Sequence, residues 1–360
     1  MLSLPMVDSF LRLDPTRPRD ENRAKATSPK PPSGFRDLQV YLAGLEVYFN
    51  DHFGFRNTLV KWDNKLKRRI LKDTTSQKVI AGKQNWLFFR EDQMVEHYSG
   101  KIQFTPEQLR DWQMLLEKRR DWLARRGIPY AFVIAPDKQT VYPEYLPDWV
   151  TKMGREAKID QFFAYMKEHS TVPVLDLRKP LLEAKKSHPV YMNTDTHWNS
   201  FGSFAAYQEL IGKLSPLVPA LKLEPVPFTD FTLTNPPQPG GDLVRILGAS
   251  MPENNAYLLN AKPGLAQFTL TVPPAERVTD PAFSSNPSAK GSLLLFHDSF
   301  AGYWYPFLAY NFNKCTYLWQ YELDPAWIER DRPDIVVTEM LERFFNIRDP
   351  KEMMLKEGLD

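Results

Sequence analysis

The 360-residue chain sets 46 Lys and Arg against 44 Asp and Glu, a formal net charge of +2. That balance excludes a dedicated nucleic-acid binder, which shows a marked basic excess. A single cysteine, Cys315 in "NFNKCTYLW", excludes an intrachain disulfide, leaves the redox compartment open and reads as a small buried hydrophobe on a strand. No run approaches the ~18 consecutive apolar residues of a membrane span. The first residues also lack the basic–apolar–small layout of a signal peptide, so the chain is either cytosolic or follows a removed anchor.

Residues 1–34, rich in Pro, Lys and Asp, read as a solvated linker or tail. From 35 to 75 apolar residues fall at helical spacing (Leu38, Leu42, Leu45, Phe49, then Leu59, Trp62, Leu66), which predicts an N-terminal helical segment. Its Lys and Arg residues read as a solvated face, with contact to an acidic polymer or lipid headgroup as the sharper alternative. "KVIAGKQNWLFFRED" predicts two strands around a turn at Gly82. In "FTPEQLRDWQMLLEKRRDWLARRGIPYAFVIAP", Thr105 is an N-cap, Pro106 opens the helix and Gln108 completes a capping box. Gly127 ends that helix before a buried strand.

The helix-then-strand unit recurs. "KIDQFFAYMKEHS" leads to "VPVLDL", and "SFGSFAAYQELIGKL" is helical. "GSLLLFHDSF" is a strand entering a turn, followed by alternating helices and strands through "PDIVVTEML". This alternation predicts an α/β fold with a central, mainly parallel sheet. Residues 215–290 change texture to Pro- and Thr-rich short strands and read as a β-rich insertion within a catalytic domain spanning 76–360.

In doubly wound sheets ligands sit at the carboxyl ends of the strands. There lie Asp137 and Lys138 after "AFVIA", His297, Asp298 and Ser299 after "SLLLF", and Thr338 and Glu339 after "DIVV". Ser299, on a turn between strand and helix, is placed as a nucleophile or, alternatively, as a helix cap. His197 in "YMNTDTHWNSFG" is the best base among six histidines, and Asp195 can fix its tautomer. A divalent metal held by Asp195, His197, His297 and Asp298 is the rival reading. It has neither the helical His pair nor the Cys cluster of a strong metal signature, so no metal is assigned. No GxGxxG or GxxxxGK[ST] fingerprint occurs, and no cofactor is expected.

"DTHWNSFGSFAAYQEL" with the later "FHDSF" resembles the alginate O-acetyltransferase family, a branch of the SGNH (GDSL-like) hydrolase superfamily. "VIAGKQNWLFF", "IAPDKQTVYPEYLP", "GGDLVRILG" and "PDIVVTEMLERFF" are similar to further family segments in the same order, so the resemblance covers 35–348. It implies an SGNH-like three-layer fold with Ser299 as nucleophile, His197 as base and Asp195 as its orienter. His297 stands where many superfamily members have Gly. Asp298 is expected to shape the turn. The implied chemistry is transfer of an acetyl group through a Ser299 acyl-enzyme onto hydroxyls of an alginate-like bacterial exopolysaccharide. The alternatives are an SGNH carbohydrate acetylesterase and a catalytically idle carbohydrate-binding or assembly protein.

Transfer needs a sugar platform near Ser299. Trp198, Tyr303, Trp304 and Tyr305 are aromatic candidates, although core packing is the commoner task for such residues. Lys138 is placed either on an acidic sugar or on a backbone carbonyl. The expected substrate contacts are therefore Lys138, Tyr305 and Trp198. The family further implies a periplasmic or outer-face location with a missing N-terminal anchor, and a membrane-bound acyltransferase that supplies acetyl.

Overall fold

The computed structural model describes residues 78–359 without a break, together with 27–29, 31, 41–45 and 48. The expected tail at 1–34 and helical segment at 35–75 lie almost wholly outside the described residues; 41–45 and 48 are helical.

Seven strands form the central sheet: β1 (Tyr130–Ala135), β2 (Val174–Asp176), β3 (Thr269–Thr271), β4 (Ala282–Ser285), β5 (Ser292–Phe296), β6 (Lys314–Leu318) and β7 (Ile335–Leu341). Their spatial order is β2-β1-β7-β5-β6-β4-β3. The five from β2 to β6 run parallel, with Leu295 opposite Val337 and Tyr317. Side chains alternate across the sheet, as the strand period requires. Tyr130, Phe132 and Ile134 of β1 enter one core and Ala131, Val133 and Ala135 the other.

Helices cover both faces. α1 (Pro106–Ala124) and α2 (Lys158–His169) bring Trp112, Leu116, Phe162 and Met166 onto Phe132, Ile134 and Phe296. α1 begins in the expected capping box: Gln108 N–H donates to Thr105 Oγ1 at 3.2 Å, and Thr105 N–H donates to Gln108 Oε1 at 3.0 Å. On the other face α3 (Ser200–Leu214) and α5 (Tyr305–Asn311) pack Phe204, Tyr207 and Phe307 onto Leu293, Leu295 and Cys315. The short α4 (Asp242–Leu247) lies between them in sequence. The result is the expected three-layer α/β arrangement. Among the described residues no helix is long and apolar enough to cross a membrane.

Two details differ from the sequence reading. Part of the stretch at 215–290 belongs to the central sheet: β4 pairs antiparallel with β6, and β3 pairs antiparallel with β4 at the sheet edge. Small residues allow this: Ala282 and Ser284 point inward along β4 and are buried, while Phe283 points out. The rest of that stretch forms two ribbons, Phe231–Thr234 with Leu258–Ala261 and Gln238–Pro239 with Pro252–Glu253. In addition, β7 runs on to Leu341, so Thr338 and Glu339 are buried strand residues rather than loop residues beyond a strand end.

Candidate active site

The loop carrying Asp195 and His197 is a closed hairpin. Tyr191 and Trp198 pair across it, and Met192 N–H donates to His197 O at 3.2 Å. Asn199 then caps α3: its Oδ1 accepts from Gly202 N–H at 2.9 Å, while its amide donates to Pro189 O and Asn255 O. The polar residue after Trp198 therefore fixes both where the helix starts and where the histidine stands.

Two acids from the β-rich segment brace the loop from behind. Glu253 accepts from Asn193 N–H, Thr194 N–H and the Thr194 hydroxyl. Asp242, the first residue of α4, accepts from Thr196 N–H at 2.8 Å and the Thr196 hydroxyl at 2.6 Å, and its own N–H donates to Asp195 Oδ2 at 2.9 Å. Gly241 makes that approach possible, since a Cβ there would lie 2.4 Å from Asp195 Cβ.

Ser299 arrives from the opposite direction, at the carboxyl end of β5. Asp298 shapes this turn as expected. Its Oδ1 accepts from Phe300 N–H at 2.9 Å, and its Oδ2 accepts from Tyr321 OH at 2.7 Å and Leu341 N–H at 2.8 Å. His297 points away from Ser299: its Nδ1–H donates to Asp298 O at 2.6 Å and its Nε2 accepts from Tyr305 OH at 2.8 Å. Burial pushes its pKa down to about 4, so the ring is neutral with a fixed tautomer.

The three residues singled out in the sequence meet. Ser299 Oγ lies 2.7 Å from His197 Nε2, and His197 Nδ1 lies 2.7 Å from Asp195 Oδ1. The hydroxyl donates to Nε2 and Nδ1–H donates to the carboxylate, the polarity a proton relay needs. Burial alone would raise the Asp195 pKa. The hydrogen bond and charge of His197, with N–H donors from Asp242 and His197, outweigh it and hold the carboxyl well below its ordinary range. Burial would lower the His197 pKa, but Asp195 and then Asp242 raise it above its ordinary value. Asp195, His197 and Asp242 have donor atoms within 4.8 Å of one another, yet both ring nitrogens of His197 already have partners. The four residues of the rival metal reading do not converge, because His297 and Asp298 face other neighbours.

A cleft of about 650 Å³ opens beside Ser299, walled by Tyr303, Phe307, Tyr310 and the strand Leu258–Ala261. None of the three expected substrate contacts lines it. Lys138 is buried and donates to the carbonyls of Met192, Asn193 and Asp195 at 3.0, 3.3 and 2.5 Å, which is the backbone alternative of the sequence reading. Trp198 is wholly buried and donates to Phe300 O at 3.0 Å, tying the base loop to the nucleophile turn. Tyr305 holds His297. All three act on the framework, because an aromatic or lysine beside a buried loop is drawn into its packing. Sequence reasoning missed Asp242 and Glu253 as loop braces. The signal for Asp242 was the Gly-Gly-Asp run, where two glycines permit the close backbone approach.

Residues 79–290, more than half of the chain, match the profile of a family described as the SGNH hydrolase-like domain of the acetyltransferase AlgX. The chain belongs to this family. The matched span of this AlgX-type domain contains Asp195, His197, Gly241 and Asp242 and ends before Ser299. A probable alginate O-acetylase AlgJ of Pseudomonas putida is 31% identical over 137 residues, 38% of this chain and 34% of that protein. The same-named protein of Pseudomonas syringae pv. tomato is 29% identical over 169 residues, 47% of this chain and 41% of that protein. The AlgX-type chain thus matches well under half the length of these relatives. Its fold is shared with the O-acetyltransferase domain of Pseudomonas putida AlgJ (TM-score 0.50, 20% identity, covering 78% of this chain and 98% of that one). It is also shared with Bacillus cereus PatB1 solved with a sulfonyl adduct (TM-score 0.57, 16% identity, covering 76% and 98%).

Proposed function

We propose that this protein is an exopolysaccharide O-acetyltransferase that works through a Ser299 acyl-enzyme within a catalytic unit spanning 76–360. The observation that carries the reading is the continuous chain from Ser299 Oγ to His197 Nε2 and from His197 Nδ1 to Asp195, each link 2.7 Å, beside an open cleft. In the first half-reaction His197 takes the Ser299 proton as Oγ bonds to the acetyl carbonyl carbon. The tetrahedral oxyanion then collapses, and the donor's leaving group departs with the proton held by His197. In the second half, a sugar hydroxyl gives its proton to His197 and bonds to the acetyl carbon. Oγ leaves and is reprotonated. The names of the AlgJ relatives support a polysaccharide acceptor of the alginate-like class. A membrane-bound acyltransferase as acetyl source and a periplasmic or outer-face location complete the proposal.

The test is turnover of p-nitrophenyl acetate with and without an oligosaccharide, read by mass spectrometry of sugar and protein. Acetylated sugar and an acetyl group on Ser299 are expected. Ser299→Ala and His197→Ala should abolish both while leaving the circular dichroism spectrum unchanged. Release of acetate alone would make the protein an esterase, and sugar binding without turnover would make it an idle scaffold.

A further inference from the structure

A second cavity, of about 350 Å³, opens against the loop that carries Asp195 and His197, on a different set of residues from the cleft beside Ser299. Trp86, Tyr142 and Tyr145 give it an aromatic wall. The Trp86 and Tyr145 rings stack 4.6 Å apart, and those of Trp86 and Tyr142 lie 4.3 Å apart. Lys185 and Glu144 also line it, paired at 2.7 Å. Lys185 Nζ donates to Val141 O at 2.6 Å and stands 4.3 Å from the Tyr142 ring centre, so the framework fixes this cation. Glu144 reaches it from a side chain that is 47% exposed. An exposed Lys–Glu pair holds weakly, so a ligand carboxylate can take the place of the Glu144 carboxylate at little cost.

The rim of the cavity is held in an uncommon conformation. Gln84 and Asn85 have φ of 51° and 63°, in the left-handed region that residues other than glycine rarely adopt. Asn193, two residues before Asp195, secures both sides of the cavity. Its Nδ2 donates to Asn85 O at 3.2 Å, and its Oδ1 accepts from Asn254 N–H at 3.1 Å. Backbone strain of this kind persists where the surroundings hold it, and it gathers at ligand clamps. On the cavity wall His188 keeps Nδ1 buried with no hydrogen-bond partner among the described residues, a group that a ligand hydroxyl would satisfy.

One segment of chain walls both cavities: Asn254 and Asn255 line this one, and Leu258–Ala261 line the cleft beside Ser299. From Asn255 to Leu258 the chain spans at most about 11 Å, so one oligosaccharide can reach both. An aromatic wall with a few placed polar groups suits a sugar ring, and an ammonium held in position makes a charge-assisted hydrogen bond to a carboxylate. We propose that this second cavity is a uronate subsite. A sugar unit of the acceptor chain, away from the unit presented to Ser299, lies against the aromatic wall, and its carboxylate replaces that of Glu144 on Lys185. The inference takes its acceptor class from the exopolysaccharide reading above, but binding can be measured without catalysis.

The experiment titrates the Ser299→Ala protein calorimetrically with two hexamers that differ only at C6, β-1,4-linked mannuronate and β-1,4-linked mannose. The mannuronate hexamer should bind at least about threefold tighter and weaken as salt rises. In the same background Lys185→Met should cost mannuronate at least about fivefold in affinity, with an unchanged circular dichroism spectrum. Glu144→Gln, at an exposed position, removes the competing carboxylate and should tighten mannuronate binding about threefold. Four results overturn the proposal: no binding of mannuronate, mannose bound as tightly, an affinity for mannuronate that Lys185→Met leaves unchanged, or one that Glu144→Gln fails to raise. A missing acyl-enzyme burst with p-nitrophenyl acetate in the wild-type protein instead overturns the serine relay and leaves the subsite decided on its own.

Discussion

The Asp242 carboxylate lies 3.9 Å from His197 Nδ1, while Asp195 holds the same nitrogen at 2.7 Å. Two acids thus serve one imidazole, one by direct hydrogen bond and the other by charge and by its grip on Thr196. The substitutions should be unequal. Asp195→Asn removes the acceptor that fixes the tautomer and should cost about 10³–10⁴ in acylation rate. Asp242→Asn keeps the N–H that donates to Asp195 and should cost about tenfold, the worth of one modest electrostatic contact. Stopped-flow release of p-nitrophenol measures both, and equal losses would contradict this division of labour.

The same two acids set the pH dependence. The His197 pKa lies above its ordinary 6.5: burial pulls it down, but Asp195 and Asp242 raise it further. Only the neutral ring can accept the Ser299 proton, so activity is lost as pH falls through that raised value. The acid limb of kcat/KM, which reports the free enzyme, should therefore have its midpoint above pH 6.5. Asp195→Asn should shift the limb to lower pH as well as lowering the plateau. An acid limb unmoved by that substitution would show that another group titrates.

Ser299, His197 and Asp195 were legible as candidates because each sits where periodic pattern breaks at a strand end or helix start, while a helix cap and a structural Asp-x-His stayed open; the resemblance to the alginate O-acetyltransferase family implied their roles. The alternating helices and strands were legible for the same cause, since a buried parallel strand has to be apolar on both faces. Glu253 was not legible. It lies in a Pro- and Thr-rich stretch without periodicity, 59 residues from Thr194, and only tertiary structure brings it under the loop. Residues 215–290 were read as short strands, with β3 inside "AQFTLTV", but that β3 and β4 join the edge of the central sheet was not legible, because three or four residues carry no signal of which strand they pair with. Trp198 and Tyr305 were read toward the ligand although their polar tips find protein partners; sequence shows a side chain's chemistry but not the direction it points.

Gly241 offers a steric test of the brace. Its backbone is in the ordinary extended region, with φ at −71°, so Ala brings no conformational strain. The added Cβ would meet Asp195 Cβ at 2.4 Å and Oδ2 at 2.6 Å, so the relay acid must move. Overpacking of this kind costs about 1–3 kcal/mol of stability, and a displacement of the relay by ~1 Å costs about 10²-fold in rate. Gly212→Ala, in the interior of α3 with nothing within 4 Å of the new Cβ, should be neutral or stabilising by about 0.5–1 kcal/mol. Thermal melts and ester turnover on the two variants give the contrast. Full activity in Gly241→Ala would mean that Asp195 is not held in place from that side.

Lys138 should separate positioning from stability. Its ammonium ties three carbonyls of the base loop, yet burial pushes its pKa down to about 8 against the pull of Asp242, Asp195 and Glu253. Lys138→Met gives up those hydrogen bonds but also removes a desolvated charge, and the two terms largely offset each other. Unfolding free energy should shift by less than about 2 kcal/mol, while kcat falls at least about tenfold because the loop bearing Asp195 and His197 loses its anchor. The proton count gives a second signature. Between pH 8 and the unfolded pKa of about 10.4 the unfolded chain holds more protons at this site than the folded one, so this residue makes stability rise with pH across that window. Urea melts at pH 8 and pH 10 should show that rise in the wild-type protein and a smaller one in Lys138→Met; an equal rise in both would place the titration elsewhere.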